Sequence, residues 1–123
     1  MVSSDRQHAL LDAGCITEPL DWYRSRSPWG GPIACPLTMV DLLTVVEADL
    51  WPRVAGRAVG MYGAISLQLL AGPVHLYVVH DVSATIVALS RTPRTEVLWY
   101  DAVAVRDGIE VVRMRMMSRL LPV

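Results

Sequence analysis

The hydrophobic rhythm of this 123-residue chain changes near its middle. From Leu37 to Leu50 apolar residues fall on nearly every side of a helical period, among them Met39, Leu42, Leu43, Val46 and Leu50. Asp41, Thr44 and Glu47, three residues apart, form one narrow polar stripe. That pattern predicts a largely buried helix over about 37–51. Pro36 suits its start, because an N–H there would have no helical partner anyway, and Pro52 is expected to end it. Before it, Gln7 to Ala13 reads as a short helix stopped by Gly14. Ser27-Pro28-Trp29-Gly30-Gly31-Pro32 reads as a turn cluster.

The second half alternates with period two. Strands are predicted over Val59–Leu70, Val74–Ser90 (with a bulge or bend at His80-Asp81), Glu96–Arg106 and Ile109–Leu120. Asp107-Gly108 is a hairpin signal. On the last strand Arg113 and Arg115 face one way, and Val112, Met114 and Met116 the other. One buried helix followed by four strands on short turns makes an α+β protein. An antiparallel sheet is expected to wrap around a single long helix. No repeat or linker divides residues 1–123, so a single domain is expected.

Composition narrows the functional classes. The chain is 53% hydrophobic with a net charge of −1. It can build a real core, and it lacks the basic excess of a nucleic-acid binder. All eleven basic residues are Arg, and Lys, Asn and Phe are absent. These absences follow the A/T-rich codons avoided by a GC-rich genome. Without Lys there is no Schiff-base nucleophile, and without Asn nothing of that type can orient a base. No run reaches the roughly 18 apolar residues of a membrane span. Asp5, Arg6, Gln7 and His8 make the N-terminus unlike a signal peptide. Cys15 and Cys35 form neither a disulfide framework nor a metal spacing. A reduced, cytoplasmic protein without metal, cofactor, membrane or nucleic-acid partner is therefore expected.

Trp29-Gly30-Gly31-Pro32-Ile33-Ala34, leading into the helix, resembles the hotdog fold and, more narrowly, the MaoC-like hydratase and dehydratase family. Members often read aromatic-Gly-x-Pro-Ile-Ala-His-Gly at this point. Ala71-Gly72-Pro73-Val74 resembles their x-x-Pro-Val turn, and Arg94 to Trp99 resembles their next strand. The similarity covers about Trp22 to Leu121. It implies a sheet wrapped around its helix, a homodimer joining two sheets edge to edge, and an acyl-thioester site at that interface. The family's catalytic motif, Asp-x-Asn-Pro-x-His, lies about ten residues before the aromatic. Counting back from Trp29 puts Glu18 at the His position and Ala13 at the Asp position, with Asp12 one residue off. The Asn-Pro pair is missing. Cys35-Pro36 replaces His-Gly, and Pro36 has no N–H to offer a thioester carbonyl. Family members carry an extra strand before the motif, so a shortened, diverged hotdog is expected.

The resemblance makes Glu18 the leading catalytic residue, an acid or base if an apolar tunnel raises its pKa. Asp21 stands on the same loop, and both equally suit surface carboxylates beside a turn. Cys35 precedes a helix N-terminus, where the dipole favours a thiolate, although a lone Cys there is more often a buried filler. Asp41 and Glu47 invite comparison with hotdog thioesterases, which carry a carboxylate on this helix facing the partner; Asp41, nearer the helix start, is the better candidate. The plainer reading puts both acids on the polar stripe. Trp29, Gly30, Gly31, Leu37 and Tyr62 are the expected substrate-binding residues, and Trp22, Tyr23 and Tyr77 either join an apolar pocket or fill core. His75 and His80, five apart on one predicted strand, point to opposite faces. Arg113, Arg115 and Arg119 suit phosphate groups of coenzyme A or a carrier pantetheine, and suit a solvated face better.

The expected function is acid–base chemistry at a dimer interface: hydration, dehydration or a related cyclisation. Its substrate is an acyl thioester, on coenzyme A or a carrier protein, or a polyketide-like small molecule. One alternative is a non-catalytic hotdog subunit that completes a catalytic partner's site in a hetero-oligomer. Another is an acyl thioesterase using Asp41.

Overall fold

The computed structural model describes residues 4–14, 21–55 and 58–122. Its helical elements are α1 (Ser4–Asp12), α2 (Pro36–Leu43), a 3₁₀ turn (Thr44–Val46) and α3 (Glu47–Ala55), with a further 3₁₀ turn at Asp21–Tyr23. The strands are β1 (Ala58–Leu69), β2 (Asp81–Arg91), β3 (Glu96–Arg106) and β4 (Ile109–Pro122). They form one antiparallel sheet in the order β1-β4-β3-β2, which leaves β1 and β2 as its edges. The protein is therefore α+β, with helix packed on one face of a four-stranded sheet.

Strand alternation decides what each sheet face carries. Leu98, Tyr100, Ala102 and Ala104 of β3 pair across from Ser118, Met116, Met114 and Val112 of β4. All eight are buried against Met39, Leu42 and Leu43 of α2 or their neighbours. The opposite parity is polar on β4, where Arg113, Arg115 and Arg119 are exposed. Arg115 there forms a two-pronged bond with Asp101 at 2.8 and 3.0 Å, and Arg113 meets Glu110 at 2.8 Å. The β3–β4 turn has both central residues in the left-handed region, Asp107 at φ 52° and Gly108 at φ 77°. Such a turn matches the twist of the strands it joins.

Two expectations are corrected. The helix is not one continuous rod over 37–51: it runs from Pro36 to Ala55 in two α segments with a 3₁₀ turn between them. Pro52 does not end it but lies inside α3. The carbonyl left without a donor is that of Ala48, four residues back, and both residues are exposed, so water can satisfy it. The stretch 74–80 is also not strand. The donors of Ala34 and Leu76 tie it to the lead-in of α2, through Ala34 N–H to Val74 O and Leu76 N–H to Pro32 O. Tyr77 turns it with φ 60°, and β2 begins only at Asp81.

Gln7 fastens the N-terminal layer to this frame. Its side chain is fully buried, and its Nε2 donates to Tyr23 O (2.6 Å) and Ile33 O (2.9 Å). Its Oε1 accepts from Cys35 N–H at 2.9 Å. One side chain thus holds α1, the Asp21–Tyr23 turn and the start of α2 together. No described helix is long and apolar enough to cross a membrane.

Candidate functional site

Leu43, fully buried, marks the inward face of the helix, and Glu47 stands one helical turn after it. Glu47, at the start of α3, is thereby aimed at the sheet and is only 8% exposed. It is the one buried acid among the described residues. Tyr100, at an inward position of β3, donates its hydroxyl to Glu47 Oε1 at 2.7 Å. Tyr62 on the edge strand β1 reaches Oε2 at 3.4 Å, a long and weak bond. Burial is the largest influence on Glu47 and raises its pKa above the ordinary value; the hydroxyls of Tyr100, Tyr62 and Ser118 pull the other way. Burial likewise raises both tyrosines, reinforced by the adjacent carboxylate. A proton is therefore held between groups that all resist losing it.

Two further polar atoms lie in this corner. Trp51, one helical turn after Glu47 on the same face, packs against Gly60, where a Cβ would stand 2.0 Å from the ring. Its Nε1 is buried without a hydrogen-bond partner. Ser118 Oγ, across from Tyr62, is buried near Glu47 and helps hold its pKa down. Buried polar groups nearly always find partners, so the Trp51 Nε1–H is an unspent donor in this corner.

A second feature lies at the other end of α2. Trp22, Trp29, Pro36, Met39, Leu69 and Pro73 are among the walls of an apolar cleft of about 380 Å³. The two indoles meet edge to face, with centroids 5.5 Å apart and planes at 88°. The turn that carries Trp29 closes with Gly30 at φ 114°, which favours glycine. Met39 lies eight residues before Glu47, about two helical turns or 12 Å along the axis. Acid and cleft are thus separate within one chain.

Of the residues expected to form the site, Trp29 lines the cleft and Tyr62 meets Glu47. Gly30 and Gly31 belong to the turn beneath Trp29, and Leu37 is exposed on α2. Glu18 lies outside the described residues. Asp21 is exposed, and its carbonyl accepts from the N–H groups of Arg24 and Ser25. Cys35 is wholly buried, with Sγ 3.3 Å from Thr38 Oγ1, so no substrate reaches its sulfur in this conformation. Asp41 is engaged by the Arg6 guanidinium. His80 is buried, its pKa lowered chiefly by desolvation, with Nδ1 2.9 Å from Val78 O. No group of His, Cys, Asp and Glu among the described residues is arranged to hold a metal.

Sequence reasoning ranked Glu47 below Asp41 and placed both on the helix's one polar stripe. The signal that could have found it is Tyr100 at a core parity of β3, since a buried tyrosine hydroxyl needs a partner. No family model, curated protein or solved structure matches the chain.

Proposed function

We propose that this protein is a small acid–base enzyme of hotdog architecture, with Glu47 as its proton carrier. The observation that carries the reading is Glu47, the one buried acid among the described residues, its pKa raised, held between two tyrosine hydroxyls and near the unpaired Trp51 Nε1. A four-stranded antiparallel sheet packed on a helix is compatible with the fold that the Trp29–Ala34 motif resembles.

The chemistry follows from the hydrogen bonds. Tyr100 fixes Oε1 with a short bond, whereas Oε2 has only the long contact to Tyr62. Oε2 is therefore the oxygen free to exchange partners. As a carboxylate it accepts a proton from the carbon beside a thioester carbonyl, or from water; as the acid it returns that proton to a departing hydroxyl or to carbon. A pKa lifted toward the working pH suits both halves of the cycle. Trp51 Nε1–H, unpaired among the described residues, is the donor for the substrate's carbonyl oxygen as charge builds on it. The substrate class is an acyl thioester or a polyketide-like small molecule.

The site is proposed to be completed by a second copy. β1 is an edge strand with no charged residue from Ala58 to Leu70. Val59, Met61, Tyr62, Ile65 and Leu69 are each 43–56% exposed on it. Such an edge invites pairing. In a two-fold antiparallel pairing the ends of β1 exchange places. The cleft beside Leu69 of one protomer then approaches the Glu47 corner of its partner, bridging a gap that one chain leaves open.

The test is turnover of hydroxyacyl and enoyl thioesters by the purified protein and by Glu47→Gln. The reading predicts a loss of about 10²–10⁴-fold in kcat, the usual share of a general acid–base group. Unchanged turnover in the variant would remove Glu47 from the chemistry. An inactive wild type that gains activity only with a partner subunit would favour the alternative of a non-catalytic hotdog subunit.

A further inference from the structure

The cleft at the start of α2 carries information about what the protein binds. Its walls are aromatic, aliphatic, Pro and Gly, with no charged side chain among them. The nearby backbone donors are committed: Ile33 N–H to Trp22 O, Ala34 N–H to Val74 O, and Gly30 N–H to Ser27 O. A ligand group placed there finds no counter-charge, and the side-chain polar groups on these walls are limited to the two indole N–H groups and the Tyr23 hydroxyl, so the buried part is uncharged and mainly apolar.

Shape separates the apolar candidates. Trp22 and Trp29 meet at a right angle and remain 39% and 53% exposed, so each can offer ring surface to a guest. Pro36 and Pro73 add rigid walls. A planar ring lying on one indole presents its positive edge toward the negative face of the other, a gain beyond area burial that an alkyl chain does not have. A volume of about 380 Å³ is near the lower end for small-molecule sites, which suits a compact ring system better than a long chain.

We infer that the Trp22–Trp29 cleft binds an uncharged fused aromatic ring of two or three rings, which forms the non-reacting part of the substrate. As a statement about substrate this rests on the reading of Glu47 as proton carrier; as a statement about binding it stands on the cleft alone. The probes are 2-naphthol and 1-octanol, both uncharged at neutral pH, one flat and one flexible. The readout is the indole N–H signals in a ¹⁵N–¹H spectrum, which need no turnover.

The inference predicts that 2-naphthol shifts the Trp22 and Trp29 signals and leaves Trp99, on β3, in place. It predicts binding about tenfold tighter than 1-octanol, equivalent to about 1.4 kcal/mol. Trp29→Leu and Trp22→Leu should each remove most of that preference while still binding octanol, which shows that they remain folded. Glu47→Gln should bind naphthol as the wild type does. Equal affinity for the two probes, or a naphthol preference that survives both Trp variants, overturns the inference. So do Trp22 and Trp29 signals that move on dilution and ignore both probes, because the cleft is then covered by a second copy. If naphthol binds as predicted but Glu47→Gln keeps full turnover, the catalytic reading fails and the binding site stands.

Discussion

Replacing Gln7 removes more than a surface contact of the N-terminal helix. Gln7→Ala deletes three buried hydrogen bonds, at 2.6, 2.9 and 2.9 Å. It strips the partner from two carbonyls and one N–H in a region without charged neighbours on the cleft wall. At about 1 kcal/mol net for each bond the loss is about 3 kcal/mol, toward the low end for such groups because water can follow into the vacated space. For a domain of this size that is a large part of the total stability, and Tm should fall by about 12 °C. The environment also requires two donors and one acceptor, which only the amide supplies. Gln7→Glu keeps the acceptor for Cys35 N–H but turns a carboxylate oxygen toward the carbonyls of Tyr23 and Ile33. It should be worse than Ala at neutral pH and recover on acidification, when the carboxyl regains one donor. Chemical denaturation of both variants at pH 5 and pH 8 is the assay. A Gln7→Ala loss below about 1 kcal/mol, or a Gln7→Glu variant as stable as wild type at pH 8, would refute the reasoning.

Three other outcomes are expected. Ile65→Lys puts a charge on the uncharged, half-exposed β1 edge and should shift sedimentation toward monomer without lowering Tm by more than a few degrees; an unchanged dimer would move the interface elsewhere. Gly60→Ala drives a Cβ into the Trp51 ring, 2.0 Å away, and should cost about 1–3 kcal/mol, read as a Tm drop together with a changed Trp51 fluorescence. Glu47→Gln should be more stable than wild type at pH 8, because burial raises the folded-state pKa of Glu47 above its unfolded value. The wild type's own contribution is then fullest below about pH 4.5 and is lost as pH rises through the folded pKa, so the two stabilities should converge in acid.

How far the sequence reveals this protein varies element by element. β3 is read with its observed limits because alternation, β-branched residues and the Asp107-Gly108 turn all agree. The strand reading of 74–80 fails because those residues bond to the lead-in of α2, a long-range choice that local pattern does not encode. The helix is legible as buried, but its 3₁₀ turn is not. Asp41, engaged by Arg6, and Glu47, bonded to Tyr100, are six residues apart, about 120° around an α-helix, so the three-residue spacing does not put them on one face. Trp29, on the cleft wall, and Tyr62, beside Glu47, are legible as candidates because a large aromatic beside a glycine turn or on an uncharged strand has few roles. Gln7 is not, since a glutamine in a short polar helix gives no sign that three backbone groups converge on it.

The central claim is that Glu47 carries the proton, and the dependence of kcat/KM on pH tests it most directly. The carboxylate begins the cycle, so activity should fall on acidification along a limb centred above the ordinary carboxylate value of 4.5. Glu47→Gln should abolish that limb along with most of the rate, and Tyr62→Phe should move its midpoint. A limb centred at an ordinary carboxylate pKa, or one that persists unchanged in Glu47→Gln, would contradict the account.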